Sequence, residues 1–187
     1  MNEQIKLFEE PKKTSYKSCH GGVRTKGSRK EERPLSFKDA IHLVVKSKKA
    51  IGSCSFYTHK NDIKDIIDKY ALKCGVVIKD YVNMGNHLHI KVKITERKLF
   101  AKFLRIVTGL IARLVTGARK GKSFGRFWDG IPFTRIVKTA FEELQLKGYF
   151  RANRVEKEHG YKAREEFLQK FNAWVYQLRR YKKKAAT

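Results

Sequence analysis

One stretch constrains the fold more than any other: Asn86-His87-Leu88-His89-Ile90-Lys91-Val92-Lys93-Ile94. Read with period two, Leu88, Ile90, Val92 and Ile94 point to one side, and His87, His89, Lys91 and Lys93 to the other. This is the pattern of a strand in an antiparallel sheet with one covered face and one polar face. Same-face neighbours on a strand are close, so the two imidazoles can converge on one metal ion or one phosphate. Two histidines are half a metal site, and a half-buried strand with two surface histidines gives the same pattern. A third ligand and a chemical task have to come from elsewhere in the chain.

Charge narrows the task. Lys and Arg number 43 against 18 Asp and Glu, a formal net charge of +25 in 187 residues. Such an excess attracts polyanions, of which nucleic acid is the commonest. A hydrophobic fraction of 41%, with twelve Phe, eight Tyr and two Trp, supplies a real core and excludes a disordered chain. The length suits one domain with appended ends. There is no apolar run long enough to span a bilayer, and Met1-Asn2-Glu3-Gln4 does not begin a secretory signal. The chain therefore reads as soluble and cytoplasmic, with no membrane partner. Cys19, Cys54 and Cys74 form no CxxC motif, which points to reduced thiols rather than a zinc knuckle or a disulfide framework.

Residues 1–33 are basic and rich in Gly and Ser from Pro11 onward, the composition of a flexible arm. The folded domain is expected over 34–160, with 161–187 as a last helix and basic tail. Within it, Ala40–Lys46 reads as a first strand. A helix capped by Asn61 or Asp62 follows, with Ile63, Ile66, Ile67 and Tyr70 on one face, ending near Cys74-Gly75. Val76 to Val82 is a second strand, and Met84-Gly85-Asn86 reverses the chain into the histidine strand. A long helix then spans roughly Glu96 to Val115. Gly117 to Gly125 is a basic loop, and Asp129-Gly130 reads as a hairpin turn into a strand over Ile131–Val137. The order is βαββαβ, the ferredoxin-like split βαβ of the α+β class: an antiparallel sheet with helices on one face and the other face available for a site. Two further helices, about 138–155 and 162–181, complete the chain.

Chemistry requires a third group. Tyr149 and Asn153 are four residues apart on the first of these helices and so share a face. If that face lies over the open side of the sheet, Asn153 can be a third metal ligand beside His87 and His89, with Tyr149 next to the ion. Two nitrogens and an amide oxygen suit Mg²⁺ or Mn²⁺ acting as a Lewis acid on a phosphate. Tyrosine is a weak nucleophile at its ordinary pKa of about 10, and a nearby dication favours its phenolate. His42 lies on the polar side of the first strand, near the site or merely covering the sheet. Lys91, Lys93, Arg97, Lys98, Lys102, Arg105, Arg119, Lys120, Lys122 and Arg126 are candidate DNA phosphate contacts, which position a nucleic acid without reading its sequence.

Three segments carry a family resemblance. Tyr81-Val82-Asn83-Met84-Gly85-Asn86-His87-Leu88-His89 resembles the His-hydrophobic-His region of the HUH-type single-tyrosine transposases, in particular the REP-associated tyrosine transposases of bacteria and their insertion-sequence relatives. Phe127-Trp128-Asp129-Gly130 through Val137 looks like the tryptophan-containing segment before their tyrosine helix. Tyr149-Phe150-Arg151-Ala152-Asn153-Arg154-Val155 looks like that helix. The resemblance covers about residues 36–160. It implies metal-dependent cleavage and rejoining of single-stranded DNA, usually beside a hairpin, through a 5′-phosphotyrosine at Tyr149. It also implies a bacterial, nucleoid-associated protein acting as a monomer or homodimer. The family's usual proline before the first histidine is Gly85 here, and the proline that commonly follows the helix Asn is Arg154. Two alternatives remain at this stage. One is a non-catalytic basic protein that binds structured single-stranded DNA or RNA. The other is a replication initiator or relaxase, against which the small size and the helix Asn argue.

Overall fold

The structure, a computed structural model, describes residues 18–22 and 32–184. It divides into two compact units, Met1–Lys138 and Thr139–Thr187. The first holds β1 (Cys19–His20), β2 (Ala40–Lys46), a 3₁₀ turn at Gly52–Cys54, α1 (Lys60–Lys73), β3 (Val77–Asn83), β4 (His87–Lys93), α2 (Arg97–Thr116) and β5 (Phe133–Val137). The strands form one sheet in the order β1-β5-β2-β4-β3, every neighbouring pair antiparallel. Without β1 this is the βαββαβ arrangement read from the sequence. Strand β1 is an addition: most of the expected N-terminal arm lies outside the described residues, but its Cys19 and His20 pair with Arg135 and Thr134 of β5.

The alternation of β4 is realised. Leu88, Ile90 and Val92 are fully buried together with Ile41, Leu43 and Val45 of β2. They join one core with Ile63, Ile67 and Ala71 of α1 and Phe100, Phe103, Val107 and Ile111 of α2. Both helices thus cover one face of the sheet and leave His87, His89 and Lys91 on the other. A register shift between Ile78 and Asp80 places an extra residue in β3. This bulge sets Ile78 opposite Val92 in the core while Asp80 still stands opposite Lys91 on the polar face.

Two local readings are corrected. Helix α1 begins at Lys60 with His59 in the N-cap position and no side-chain cap, so neither Asn61 nor Asp62 caps it. The His59 ring instead meets the Ser53 carbonyl at 3.0 Å. Asp62 then falls in the first turn, where a carboxylate favours the helix dipole. Asp129-Gly130 closes no hairpin, since β5 pairs with β1 and β2. Asp129 works as a strap: its backbone N–H donates to Lys46 O at 3.1 Å and its Oδ1 accepts from Lys48 N at 2.9 Å. The strap holds Phe127 and Trp128 against Phe56, with the Trp128 indole N–H donating to Thr108 O at 3.1 Å.

The second unit is α3 (Ala140–Lys184), broken at Gly160, where φ is 83° and ψ 178°. It opens on a capping box, with Thr139 N donating to Glu142 Oε2 and Glu142 N to Thr139 Oγ1, each at 3.1 Å. After the break the second arm turns back along the first: Arg164 bridges Glu156 at 3.1 Å, and the Phe171 ring lies directly on Gly148. No helix among the described residues is long and apolar enough to cross a membrane.

The turn that presents His87 is tightly built. Gly85 has φ 81°, and Asn83 brackets it by accepting from Gly85 N at 2.9 Å and donating to Phe56 O at 2.8 Å. A Cβ on Gly85 would stand 2.8 Å from the Tyr57 ring. Gly85→Ala is therefore expected to destabilise the fold by roughly 2 kcal/mol, from the left-handed backbone and the contact together. Gly85→Ala/Tyr57→Ala should recover the contact part alone. A urea midpoint for Gly85→Ala equal to that of the wild type would rule this account out.

Candidate functional site

The site begins on the open face of the sheet. The β2–β4 register sets Lys46 opposite His87, Val44 opposite His89 and His42 opposite Lys91. His87 and His89 stand edge to face with ring centroids 4.7 Å apart, half-buried and buried respectively. His42 stacks on His89 from β2, with centroids 5.3 Å apart and an interplanar angle of 25°. Its Nε2 lies 3.1 Å from His89 Nδ1. His87 Nδ1 meets Asn86 Oδ1 at 2.5 Å. With the Asn86 amide in this orientation its oxygen accepts, which puts the His87 proton on Nδ1 and the lone pair on Nε2.

All three rings are held neutral at pH 7. Burial lowers His42 to about 3, helped by the charge of Arg135. Burial and then Lys46 lower His87 to about 4. His89 is lowered well below its ordinary value by burial, His42, His87 and Lys46. Neutral imidazole is the ligand form of histidine. Among the described residues, no three His, Cys, Asp or Glu side chains are arranged to hold a metal ion. The sheet face by itself offers two nitrogen donors with His42 behind one of them.

In the second unit, Tyr149 and Asn153 do share a face of α3, and their side chains interact. Burial raises the Tyr149 pKa; Asn153 and the charge of Arg164 oppose this and Glu156 adds to it. The phenol is thus protonated at neutral pH. Asn153 is 2% exposed, and its Nδ2 is buried with no hydrogen-bond partner. The two orientations of the amide have the same shape. In the flipped one Oδ1 takes the place of the Nδ2 that has no partner, and an amide oxygen is a donor that hard cations accept. Taken unit by unit, the donor types present are imidazole nitrogen in the first and an amide in the second, both of which divalent ions accept.

The candidate DNA contacts fall into separate groups. Lys91 is buried at 8% exposure opposite Asp80 and His42, whereas Lys93 is exposed at the far end of β4. Lys98, Lys102 and Arg105 are exposed on α2, which covers the sheet face opposite the histidines. Arg97 is tied to Glu32 at 3.2 Å and donates to Arg33 O at 2.8 Å. Arg119 and Lys122 bridge each other across a turn that carries Lys120, all three exposed. Arg126 folds back onto Trp128 O and Asp129 O at 3.2 and 3.1 Å. Lys46 and Arg164 are residues that the sequence reading passed over. The position of Lys46 on the polar side of β2 was legible, but its alignment with His87 was not.

These features have a structural precedent. The protein shares its fold with a transposase, a REP-associated tyrosine transposase solved bound to a REP hairpin. The TM-score is 0.57 at 14% identity, covering 72% of this chain and 76% of the other. A provisionally assigned transposase from Deinococcus radiodurans also aligns, with 17% identity over 67% of this chain and 98% of that one, at a TM-score of 0.40. The resemblance read from the sequence thus holds at the level of the fold. No protein-family model matches the sequence, and no curated protein is similar to it.

The buried neutral rings carry an acid sensitivity. Each folded-state pKa lies below the 6.5 of an unfolded histidine, so the unfolded chain binds more protons in the interval between them. The histidine contribution is intact above about pH 6.5 and is lost as pH falls toward about 4 for His87 and about 3 for His42. His42→Gln should remove about one proton from the slope of stability against pH between pH 6 and 4. Thermal denaturation across that range checks it, and parallel slopes for the two proteins would contradict the buried, neutral His42.

Proposed function

We propose that the protein is a transposase-type endonuclease and transesterase that cleaves and rejoins single-stranded DNA beside hairpins, the chemistry of DNA transposition. The observation that carries this reading is the adjacent pair His87 and His89, both neutral, on the open face of a sheet whose fold is that of a transposase bound to a hairpin. His87, His89 and Asn153 would hold a divalent metal ion, Mg²⁺ or Mn²⁺. Bound there, such an ion supplies Lewis-acid polarisation of a phosphate oxygen.

The chain's own residues supply the rest. Tyr149 Oη attacks phosphorus after its proton passes to solvent, and the bond to the 3′ oxygen breaks. The 3′ oxygen leaves and takes up a proton, so a 5′-phosphotyrosine and a free 3′-hydroxyl result. Attack by a 3′-hydroxyl reverses the step and rejoins the strand. Arg164 favours the phenolate, opposing the burial that otherwise keeps Tyr149 protonated. Lys46, exposed beside His87, neutralises charge on the phosphate, a role for an ammonium that needs no directional pairing. The exposed cations of α2 and of the Arg119–Lys122 turn contribute a salt-dependent attraction for the polyanion at longer range.

Incubation of the full chain with single-stranded hairpin DNA and Mn²⁺ tests the proposal. A covalent adduct that survives denaturation is expected for the wild type, and none for Tyr149→Phe or His87→Ala. Lys46→Ala should slow adduct formation by about 10-fold, the loss of roughly 1.4 kcal/mol of phosphate stabilisation. Hairpin binding of equal strength in all four proteins, with no adduct in any, would leave a non-catalytic DNA- or RNA-binding protein instead.

A further inference from the structure

We infer that His42 is a positioning residue for the metal-binding edge: it accepts the Nδ1 proton of His89 and so fixes the tautomer that places the His89 lone pair on Nε2. The inference rests on the metal reading above.

His42 comes from β2, where the register sets it beside Arg135 of β5 and Lys91 of β4. Its ring leans diagonally to His89, two pairs further along the ladder, and lies nearly parallel to it at 5.3 Å. The two rings are 6% and 4% exposed, and Phe133 closes the other side of His42 edge-on at 6.5 Å. Water is thereby kept from the 3.1 Å line between His42 Nε2 and His89 Nδ1.

Two ring nitrogens at this separation share one proton. If His42 carries it, His89 Nδ1 is the acceptor and the remaining His89 proton sits on Nε2, where it excludes a metal. If His89 carries it, Nε2 presents a lone pair. Ligation through His89 Nε2 thus requires His42 to be the acceptor. The Asn86 side chain does the same for His87 from within β4's own turn, with Oδ1 against Nδ1. Each of the two proposed histidine ligands therefore has its own acceptor, and supports of this kind govern ligand orientation and basicity in metal sites. The same contact explains why a third histidine on this face does not become a third ligand: its Nε2 is engaged by His89.

Long-range ¹H–¹⁵N spectra of the imidazoles in the metal-free full chain at pH 7.5 read the tautomer directly, without any variant. His89 should be protonated at Nδ1. In His42→Gln the side-chain oxygen can replace Nε2 as acceptor, so the His89 tautomer is retained and Mn²⁺ affinity, followed by electron paramagnetic resonance, stays within about 3-fold. His42→Phe keeps the volume but removes the acceptor. The His89 proton should then shift toward Nε2 and Mn²⁺ affinity fall by about 10- to 100-fold. Wild-type His89 protonated at Nε2, or a folded His42→Phe that binds Mn²⁺ as the wild type does, overturns the inference and leaves the proposed function standing. Absence of Mn²⁺ binding to the wild type overturns both.

Discussion

The polar face of this sheet depends on the burial of the other one. Leu88, Ile90 and Val92 are each at most 1% exposed beneath α1 and α2, and side chains of this kind contribute roughly 1.5–3 kcal/mol each when fully buried. A slip of β4 by one residue would bring His87, His89 and Lys91 into the core and expose all three aliphatic groups. Because β4 lies between β2 and β3, the same residues hold the register on both sides. The bulge in β3 serves the same constraint, since it keeps Ile78 in the core and Asp80 on the face with Lys91. The hydrophobic core therefore sets both histidines on the open face, and Asn86 and His42 act there on their ring nitrogens.

A net charge of +25 repels a cation at long range, and the distribution of charge resolves this. The exposed cations of α2 lie on the helix that covers the opposite side of the sheet, where they would act on a polyanion only at long range. At the histidines Lys46 and Arg135 reinforce the effect of burial by disfavouring imidazolium. Local repulsion thus works toward the neutral, ligand-competent rings, while long-range attraction depends on the total. The two effects differ in range: salt weakens the long-range attraction more than the short-range action of Lys46 and Arg135 on the rings beside them.

The parts of this structure legible in the sequence are those encoded by local periodicity. The alternation in β4, the bounds of β2 at Ala40–Lys46, the amphipathic course of α2 and the i, i+4 relation of Tyr149 to Asn153 each lie within one element. The parts that were not legible depend on two elements at once. His42 was only a histidine on the polar side of a strand until the antiparallel register set it diagonally across from His89. The dipeptide Asp129-Gly130 has the composition of a hairpin turn, but hydrogen bonds to Lys46 and Lys48 use it as a strap. Strand β1 rests on two residue pairs, with no internal pattern to announce it.

Gly85 shows how to weigh a departure from a family pattern. Proline fixes φ near −65°, so it cannot adopt the φ of 81° found here, and the difference is one of backbone geometry and not of side-chain size alone. The turn is stabilised instead by Asn83, which bonds Gly85 N and Phe56 O, and by the Tyr57 ring packed where a Cβ would be. Met84 N still donates to His87 O at 2.9 Å, so the chain enters β4 in the pairing that sets His87 opposite Lys46. Arg154 is a parallel case. A proline there would interrupt the backbone bonding of α3, whereas the arm continues helically to residue 159 before Gly160 breaks it. A motif residue is lost in the functional sense only when the geometry it served is lost with it. At Gly85 other residues now hold the turn, and the histidine after it is still presented on the open face.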